Sequence, residues 1–333
     1  MIRHVKKFKG GSLSSTNLVS DESGSLFVRK DVSITSNREY GFQRWYSQLK
    51  RLQRYSVLFP NIYPNILKFG KIDDYAYFDM EYIDGAVNAH DFIESCNDSK
   101  IIDSFFDELI RVLSIIHDKK IKSNPEAIEL YIYEEIDQRI KDCNSNKNFS
   151  DFKKYKEIYF NNKLVNSFLS LYDDYKQMLT DCYSDKTETF THGNITLENM
   201  MYVPHENRII LIDPYEENVV DSVLAEYSQL LQSTNSKYEI YNRLNANIDK
   251  NRILLDIPDN FGIDYLNAKI LNHISSNYSK EDYFSIRLLE ISQFIRMLPF
   301  KMAVDESKMI FFYGLASYLF HSLNQEYKLY KKK

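Results

Sequence analysis

"FTHGNITLENMMY", residues 190–202, is the stretch that decides the fold of this chain. His192 and Gly193 stand before one amide residue, Asn194, and a second amide residue, Asn199, follows five positions later. Apolar residues flank the segment on both sides, which is typical of a loop that leads into a buried hairpin. The segment therefore predicts a polar loop held between buried elements, with two amide side chains at a fixed spacing.

A second segment, "RIILIDP" at residues 208–214, predicts a short aliphatic strand that ends at a carboxylate, Asp213. Asp213 follows Asn199 by 14 positions, which leaves room for one β-hairpin. Such a hairpin would bring Asn199 and Asp213 together, and hard oxygen atoms are the ligands that Mg²⁺ prefers. An Asp before Pro is also a common turn initiator. That alternative does not explain the aliphatic strand that leads to it.

In phosphoryl-transfer enzymes of the protein-kinase plan, an acid in the loop accepts the proton of the attacking hydroxyl. An Asn five residues later binds the metal ion. His192, Gly193 and Asn199 have that spacing here, with Asn194 in the position of the acid. The spacing thus predicts a phosphoryl-transfer loop that lacks its carboxylate.

The N-terminal part reads as strands joined by turns, with one helical period over residues 37–56. The turn "KGGSLSSTN" can bring backbone amides close to phosphate oxygens. Its candidate nucleotide-binding residues are Gly10, Gly11, Ser12 and Ser14. Lys30 ends the strand "LFVRK", and Glu39 on the next helix is its natural carboxylate partner. Taken singly, a Gly-Ser hairpin connector and a solvated Lys are the simpler interpretations.

The character of the sequence changes at "DGA", residues 84–86, because long helical periods dominate from residue 88 onward. Residues 127–182 and 221–330 read as helices, interrupted between them by the two short strands around the loop. The pattern predicts an α+β, two-lobe fold. A small antiparallel β lobe would span residues 1–84, with a hinge at about 80–87, and a large helical lobe residues 88–333.

Composition limits the classes of function. The net charge of −5 gives no nucleic-acid footprint. The three cysteines lie far apart, which favours neither a zinc site nor a disulfide framework. The N-terminus lacks the apolar region of a secretory signal, and the longest apolar run, residues 309–320, is too short to span a bilayer. We therefore expect a cytoplasmic, soluble protein without a membrane span, of unknown oligomeric state.

The chain resembles the aminoglycoside phosphotransferase and choline kinase group, the small-molecule branch of the protein-kinase-like fold. "THGNITLENMMY" is similar to the group's His-Gly-Asp-x-x-x-x-Asn loop, and "LIDP" to its metal-binding Asp motif. "FDMEYIDG" resembles the hinge segment, "VLSIIHDKK" the Leu-x-x-Leu-His helix, and "VRK" with "NREYGFQRWYSQL" the Lys strand and Glu helix. The Ser-rich "GGSLSSTN" loop is usual for this branch.

The resemblance implies a role for each matched residue and implies ATP and Mg²⁺ as cofactors. Lys30 would contact the nucleotide phosphates, and Glu39 would orient Lys30. Backbone groups of Glu81 and Ile83 would hold adenine. The remaining roles are Mg²⁺ binding by Asn199 and Asp213, a structural role for His192, and the catalytic position for Asn194.

Asn194 departs from the family pattern, since it keeps the size of Asp without the charge. A positioned base contributes roughly 10² to 10⁴ in rate, so turnover should be slow while nucleotide and metal binding survive. The alternatives are an engineered Asp-to-Asn change, a natural pseudoenzyme, or an enzyme that uses another base. We expect the first, because the other matched positions are intact.

The acceptor is the least defined element of the sequence. Glu134, Glu135 and Asp137 could hold a cationic acceptor such as an aminoglycoside or choline, or could form a solvated helix face. A second candidate set in a mostly apolar segment could bind phosphate, carboxylate or sugar hydroxyls, or contain an internal Arg-Glu pair. It comprises Arg287, Glu290, Arg296 and Lys301.

The segment "LLQSTNSKYE" resembles bacterial sugar- or capsule-pathway kinases of this group. We therefore expect a kinase that phosphorylates a hydroxyl of a sugar or related metabolite in bacterial surface-polysaccharide biosynthesis. The alternatives are a nucleotide-binding pseudokinase with a regulatory or scaffolding role, and an aminoglycoside or choline/ethanolamine kinase.

Overall fold

The structure is a computed structural model, and the residues that it describes are 2–8, 14–35, 40–122, 124–183, 188–215 and 218–332. Four predicted nucleotide-binding residues, Gly10, Gly11, Ser12 and Glu39, lie outside these ranges. No helix within the described ranges is long and apolar enough to cross a membrane.

The chain divides into two compact units, each built from several segments. The first unit comprises Met1–Phe92, Asp107–Ile116 and His192–Asn218, and the second comprises Ile93–Phe106, His117–Thr191 and Val219–Lys333. The polar loop with its hairpin therefore belongs to the same unit as the N-terminal strands. The lobe boundary near residues 84–88 stays a prediction.

The strands are short and mostly paired antiparallel. They are β1 (Arg3–Lys7), β2 (Ser15–Ser20), β3 (Leu26–Ser33), β4 (Ile66–Ile72), β5 (Tyr75–Glu81), β6 (Val87–Asn88), β7 (Glu157–Phe160), β8 (Lys163–Asn166), β9 (Met200–Val203), β10 (Arg208–Leu211), β11 (Asn247–Asp249) and β12 (Arg252–Leu254).

The helices are concentrated after residue 88. They are α1 (Tyr40–Leu58), α2 (Ala89–Ser95), α3 (Ser99–His117), α4 (Ala127–Tyr131), α5 (Gln138–Asp142), α6 (Lys147–Phe152), α7 (Tyr172–Cys182), α8 (Val223–Thr234), α9 (Tyr238–Arg243), α10 (Phe261–Asn277), α11 (Lys280–Arg296), α12 (Leu298–Val304) and α13 (Glu306–Tyr330). A π-helical segment, Ile132–Asp137, joins α4 to α5, and 3₁₀ turns are found at Cys143–Ser145, Phe168–Leu171, Leu197–Asn199 and Pro204–Glu206.

The first unit contains an antiparallel sheet with the strand order β1-β2-β3-β5-β4. The helical period predicts one apolar face on α1; Trp45, Leu49 and Leu52 of that face are buried, whereas Tyr46 is 46% exposed. The Trp45 ring packs against Phe78 of β5, with ring centroids 5.8 Å apart. A second small sheet, with the order β10-β9-β6, contains the predicted hairpin.

The second unit has a mainly helical core around α11, in which the residues from Phe284 to Ile295 are almost all buried. Ser279 and Asp282 form a capping box that fixes the start of α11. The apolar run at 309–320 lies in α13 and is largely buried, which agrees with the predicted buried helix. An antiparallel N-terminal sheet and a helical C-terminal part confirm the predicted α+β, kinase-like fold class.

The prediction of helices alone over residues 127–182 and 221–330 is wrong in two places. β7 and β8 form a hairpin, and β11 and β12 join it in a sheet with the order β11-β12-β7-β8. Asn161 and Asn162 form the two-residue turn with φ of +45° and +64°, a conformation that Asn tolerates better than most residues. The paired Asn residues were the available turn signal.

Candidate active site

The loop after residue 191 is organised around His192, which is fully buried. Its Nδ1 accepts the N–H of Asn194 at 3.2 Å, so the proton lies on Nε2, which donates to the carbonyl of Ile212 at 2.8 Å. The carbonyl of His192 accepts the N–H of Tyr215 at 2.9 Å, and Tyr63 stacks on the imidazole ring. A neutral His192 therefore joins the polar loop to the segment around Asp213.

Gly193 permits this close approach. It has φ of +78°, and a Cβ atom there would lie 2.6 Å from the carbonyl oxygen of Tyr215 and closer still to Nδ2 of Asn218. Only glycine satisfies both the backbone angle and the available space. Tyr215 and Asn218 were not predicted as parts of the site, because nothing in their sequence context signals this contact.

The two predicted metal-binding residues are brought close together by backbone hydrogen bonds. The N–H of Ile212 donates to the carbonyl of Asn199 at 3.0 Å, and β9 pairs antiparallel with β10, as the predicted hairpin requires. The side-chain Nδ2 of Asn199 donates to the carbonyl of Asn194 at 2.9 Å. This bond fixes the amide group, so its oxygen is the atom that remains to act as a ligand.

Asp213 has φ of +54°, the left-handed conformation that is uncommon for residues other than Gly. This conformation costs about 1–3 kcal/mol, and hydrogen bonds at Ile212 and at Tyr215 hold the backbone on either side of Asp213 in place. Strained backbone of this kind is concentrated at ligand clamps and active sites. The Asp213 carboxylate is about one-third exposed, so a ligand can reach it.

Lys30 and Asp213 are in direct contact, although 183 positions separate them: the Lys30 Nζ donates to Oδ1 of Asp213 at 2.8 Å. The Lys30 side chain is only 8% exposed. Trp45 Nε1 also donates to the backbone carbonyl of Lys30 at 3.4 Å. One cation, one carboxylate and one oriented amide thus converge within the first unit. This donor set fits a magnesium ion and a phosphate group.

Arg29 lies on the opposite face of β3 from Lys30, as strand alternation predicts. Its guanidinium forms two hydrogen bonds to the buried carboxylate of Asp79, at 2.7 and 2.8 Å, and lies over the ring of Tyr77. Hydrogen bonding to Asp79 raises the pKa of Arg29 above its usual value. The charge of Arg29 is thus neutralised by Asp79, so the positive charge beside Asp213 is that of Lys30.

The other predicted nucleotide-binding residues have the following surroundings. The N–H of Glu81 donates to the carbonyl of Asn65 at 3.0 Å, and the carbonyl of Ile83 accepts the N–H of Ala86 at 3.3 Å. Ser14 is half-buried just before β2. The adenine-binding role of Glu81 and Ile83 and the phosphate-binding role of Ser14 stay predictions.

The predicted acceptor residues lie in the second unit and are engaged in contacts within it. Glu290 is completely buried and accepts from Arg287 Nε at 2.7 Å, which is the internal pair that the sequence left open. Arg296 donates to Glu135 at 2.8 Å, and Lys301 to the Asn242 side chain at 2.7 Å. Their role in acceptor binding stays a prediction.

Comparison with protein-family models and with curated protein sequences finds no match. The chain is similar to a solved structure described as "Putative fructosamine-3-kinase" from Haemophilus somnus 129PT. The match has a TM-score of 0.58 and 10% sequence identity, and it covers 96% of this chain and 92% of that chain. At this identity the match shows the fold alone. The chain therefore has a protein-kinase-like α+β fold.

Proposed function

We propose that this protein is an ATP-dependent phosphotransferase that phosphorylates a hydroxyl group of a small molecule. It would belong to the aminoglycoside phosphotransferase and choline kinase-like group. The observation that carries the proposal is the contact of Lys30 with Asp213, beside an Asn199 whose amide is already oriented. These are the side chains that the phosphoryl-transfer pattern requires, and they meet within one compact unit.

The proposed chemistry assigns a task to each of these side chains. Lys30 would bind phosphate oxygens of ATP, while Asn199 and Asp213 would hold Mg²⁺. The magnesium ion, when bound, supplies charge neutralisation at the phosphates. His192 keeps the loop and the Asp213 segment in register, and residue 194 orients the acceptor hydroxyl.

The acceptor that we propose is a sugar or a related metabolite of bacterial surface-polysaccharide biosynthesis. The carboxylates that could attract a polycation are largely satisfied within the chain: Glu135 pairs with Arg296, and Asp137 accepts from Tyr172 at 2.7 Å. Arg139 also lies close to this carboxylate, with its Nη2 3.6 Å from Oε1 of Glu135. This balance favours a neutral polyhydroxyl acceptor over an aminoglycoside or choline.

The binding half of the proposal can be tested without knowledge of the acceptor. ATP with Mg²⁺ at about 100 times its dissociation constant should raise the unfolding free energy by about 2.7 kcal/mol. The only tryptophan, Trp45, contacts the Lys30 backbone, so its fluorescence should report the same binding event. Absence of both responses would contradict the proposal.

The catalytic half can be tested by restoring the carboxylate. Asn194→Asp should raise ATP-dependent phosphorylation by about 10² to 10⁴, with a panel of sugars, amino alcohols and fructosamine as acceptors. Asn162→Asp, in an exposed turn of the second unit, is the matched control and should leave the rate unchanged. An inactive Asn194→Asp protein that still binds ATP would refute the enzyme assignment.

A nucleotide-binding pseudokinase is the second candidate, and Asn194 is the observation that favours it. An amide cannot accept the proton of the acceptor, whereas the binding residues Lys30, Asn199 and Asp213 are all retained. The two candidates agree on nucleotide binding and differ on Asn194→Asp. A pseudokinase would remain inactive with every acceptor after this substitution.

A further inference from the structure

The ion pair between Lys30 and Asp213 occupies the carboxylate that a metal ion would need. We infer, on the basis of the proposed function, that Lys30 excludes divalent cations from Asp213 until a nucleotide phosphate draws the ammonium group away. Metal binding and nucleotide binding would then be coupled through one side chain.

The geometry makes Lys30 a strong competitor for a metal ion. Its Nζ lies 2.8 Å from Oδ1 of Asp213 and its side chain is 8% exposed, so the charge is poorly screened by water. A divalent cation bound to the same carboxylate would stand within a few ångströms of a second positive charge, and like charges repel strongly in such surroundings. Mg²⁺ also gives up its water ligands reluctantly, which adds to the cost.

The backbone of Lys30 is held in place, which leaves only its side chain free to move. The residue sits in the middle of β3 with Thr16 and Phe78 as its neighbours across the sheet, and Trp45 bonds its carbonyl. The backbone is therefore fixed, and only the flexible side chain can change partner. A phosphate group offers the ammonium new acceptors, after which both oxygens of Asp213 are available to a metal ion.

Because coupling between two ligands is reciprocal, nucleotide should strengthen metal binding and metal should strengthen nucleotide binding by the same factor. Part of that factor comes from direct contact between phosphate and metal, which does not depend on Lys30. The contribution of Lys30 is the part that disappears when its charge is removed. Measuring the factor with and without that charge isolates this contribution.

The test measures Mn²⁺ binding to the full chain by electron paramagnetic resonance, with and without ADP, in the wild type and in Lys30→Met. Methionine keeps the length of the side chain and removes its charge. Lys30→Met should bind Mn²⁺ in the absence of nucleotide at least about tenfold more tightly than the wild type, and its ADP–Mn²⁺ coupling factor should fall by a similar ratio. The matched control is Lys68→Met, an exposed lysine on β4 of the same unit, which should leave both quantities unchanged.

Equal Mn²⁺ affinity of the wild type and Lys30→Met without nucleotide would overturn the inference and leave the proposed function intact, provided that ADP with Mn²⁺ still binds. Failure of any nucleotide to bind the wild type with metal would refute the proposed function itself. Should Lys30→Met not fold, Lys30→Gln, which also removes the charge, replaces it in the same measurement. Adenosine lacks phosphates and should leave Mn²⁺ affinity unchanged, whereas an increase with adenosine equal to that with ADP would contradict the role of Lys30.

Discussion

Gly193 and Gly24 allow the packing of the candidate site to be separated from backbone strain. Both glycines have positive φ, +78° at Gly193 and +84° at Gly24. A Cβ at Gly24 would have no atom within 4 Å, whereas a Cβ at Gly193 would lie 2.6 Å from the carbonyl of Tyr215 and closer still to Asn218. Alanine at Gly24 therefore tests strain alone, and alanine at Gly193 tests strain plus overlap.

The magnitudes follow from these two costs. A left-handed conformation costs a residue with a Cβ about 1–2 kcal/mol, and we expect Gly24→Ala to lose about that amount of unfolding free energy. Overpacking adds about 1–3 kcal/mol, so Gly193→Ala should lose about 2–5 kcal/mol. The obstructing atoms at Gly193 include a backbone carbonyl, which cannot rotate away as a side chain would.

Urea denaturation followed by circular dichroism measures both variants, and ATP binding is measured on the fraction that remains folded. Gly193 is the point at which the polar loop packs against the segment that follows Asp213. Gly193→Ala should therefore also weaken ATP–Mg²⁺ binding, while Gly24→Ala should not. If Gly193→Ala and Gly24→Ala lose the same unfolding free energy within about 0.5 kcal/mol, and both bind ATP as the wild type does, the packing described for Gly193 is refuted.

Three further outcomes are expected in the same denaturation assay. Glu290→Gln should lose about 3–5 kcal/mol, since it leaves Arg287, whose side chain is only 14% exposed, without its counter-charge. Glu326→Gln, at an ion pair whose side chains are 42% and 43% exposed, should lose less than about 1 kcal/mol. Burial lowers the pKa of His273, so the unfolded chain takes up a proton at a higher pH than the folded protein does. The unfolding free energy should therefore fall as the pH drops below about 6.5, and His273→Gln should make this fall less steep. Asn199→Asp replaces a donor to a carbonyl by a carboxylate and should lose about 1–3 kcal/mol.

The sequence was most informative where a local pattern of apolar residues determines the type of element, as in α1 and in the hairpin before Asp213. The buried face of α1 repeats at helical spacing, and the aliphatic run before Asp213 could be satisfied only by a strand paired with its neighbour. The spacing from Asn199 to Asp213 then fixed which residues meet. These local constraints carried the prediction of the fold class and of the proximity of Asn199 and Asp213, whose metal-binding role stays a prediction.

The sequence was least informative where partners are distant along the chain. Lys30 was expected to pair with Glu39, which lies outside the described residues, and its contact with Asp213 spans 183 positions. Arg296 likewise pairs with Glu135 across 161 positions. No local period encodes such pairs, because each depends on how separate segments of one unit pack. The hairpin of β7 and β8 was missed although Asn161 and Asn162 supplied a turn signal, because its strands stand between segments of helical period.

At Asn194, an intact site and a disabled site would have the same backbone. Its N–H donates to His192, and its carbonyl accepts from the Asn199 side chain and from the N–H of Thr196 at 3.0 Å. All three bonds use backbone atoms of residue 194, so the loop conformation does not depend on whether its side chain is an amide or a carboxylate. Replacement by Asp should therefore leave stability nearly unchanged while it alters turnover. Retained loop geometry is therefore no evidence that catalysis is retained. The side chain at position 194, an amide or a carboxylate, distinguishes the two proposed functions, a kinase and a nucleotide-binding pseudokinase.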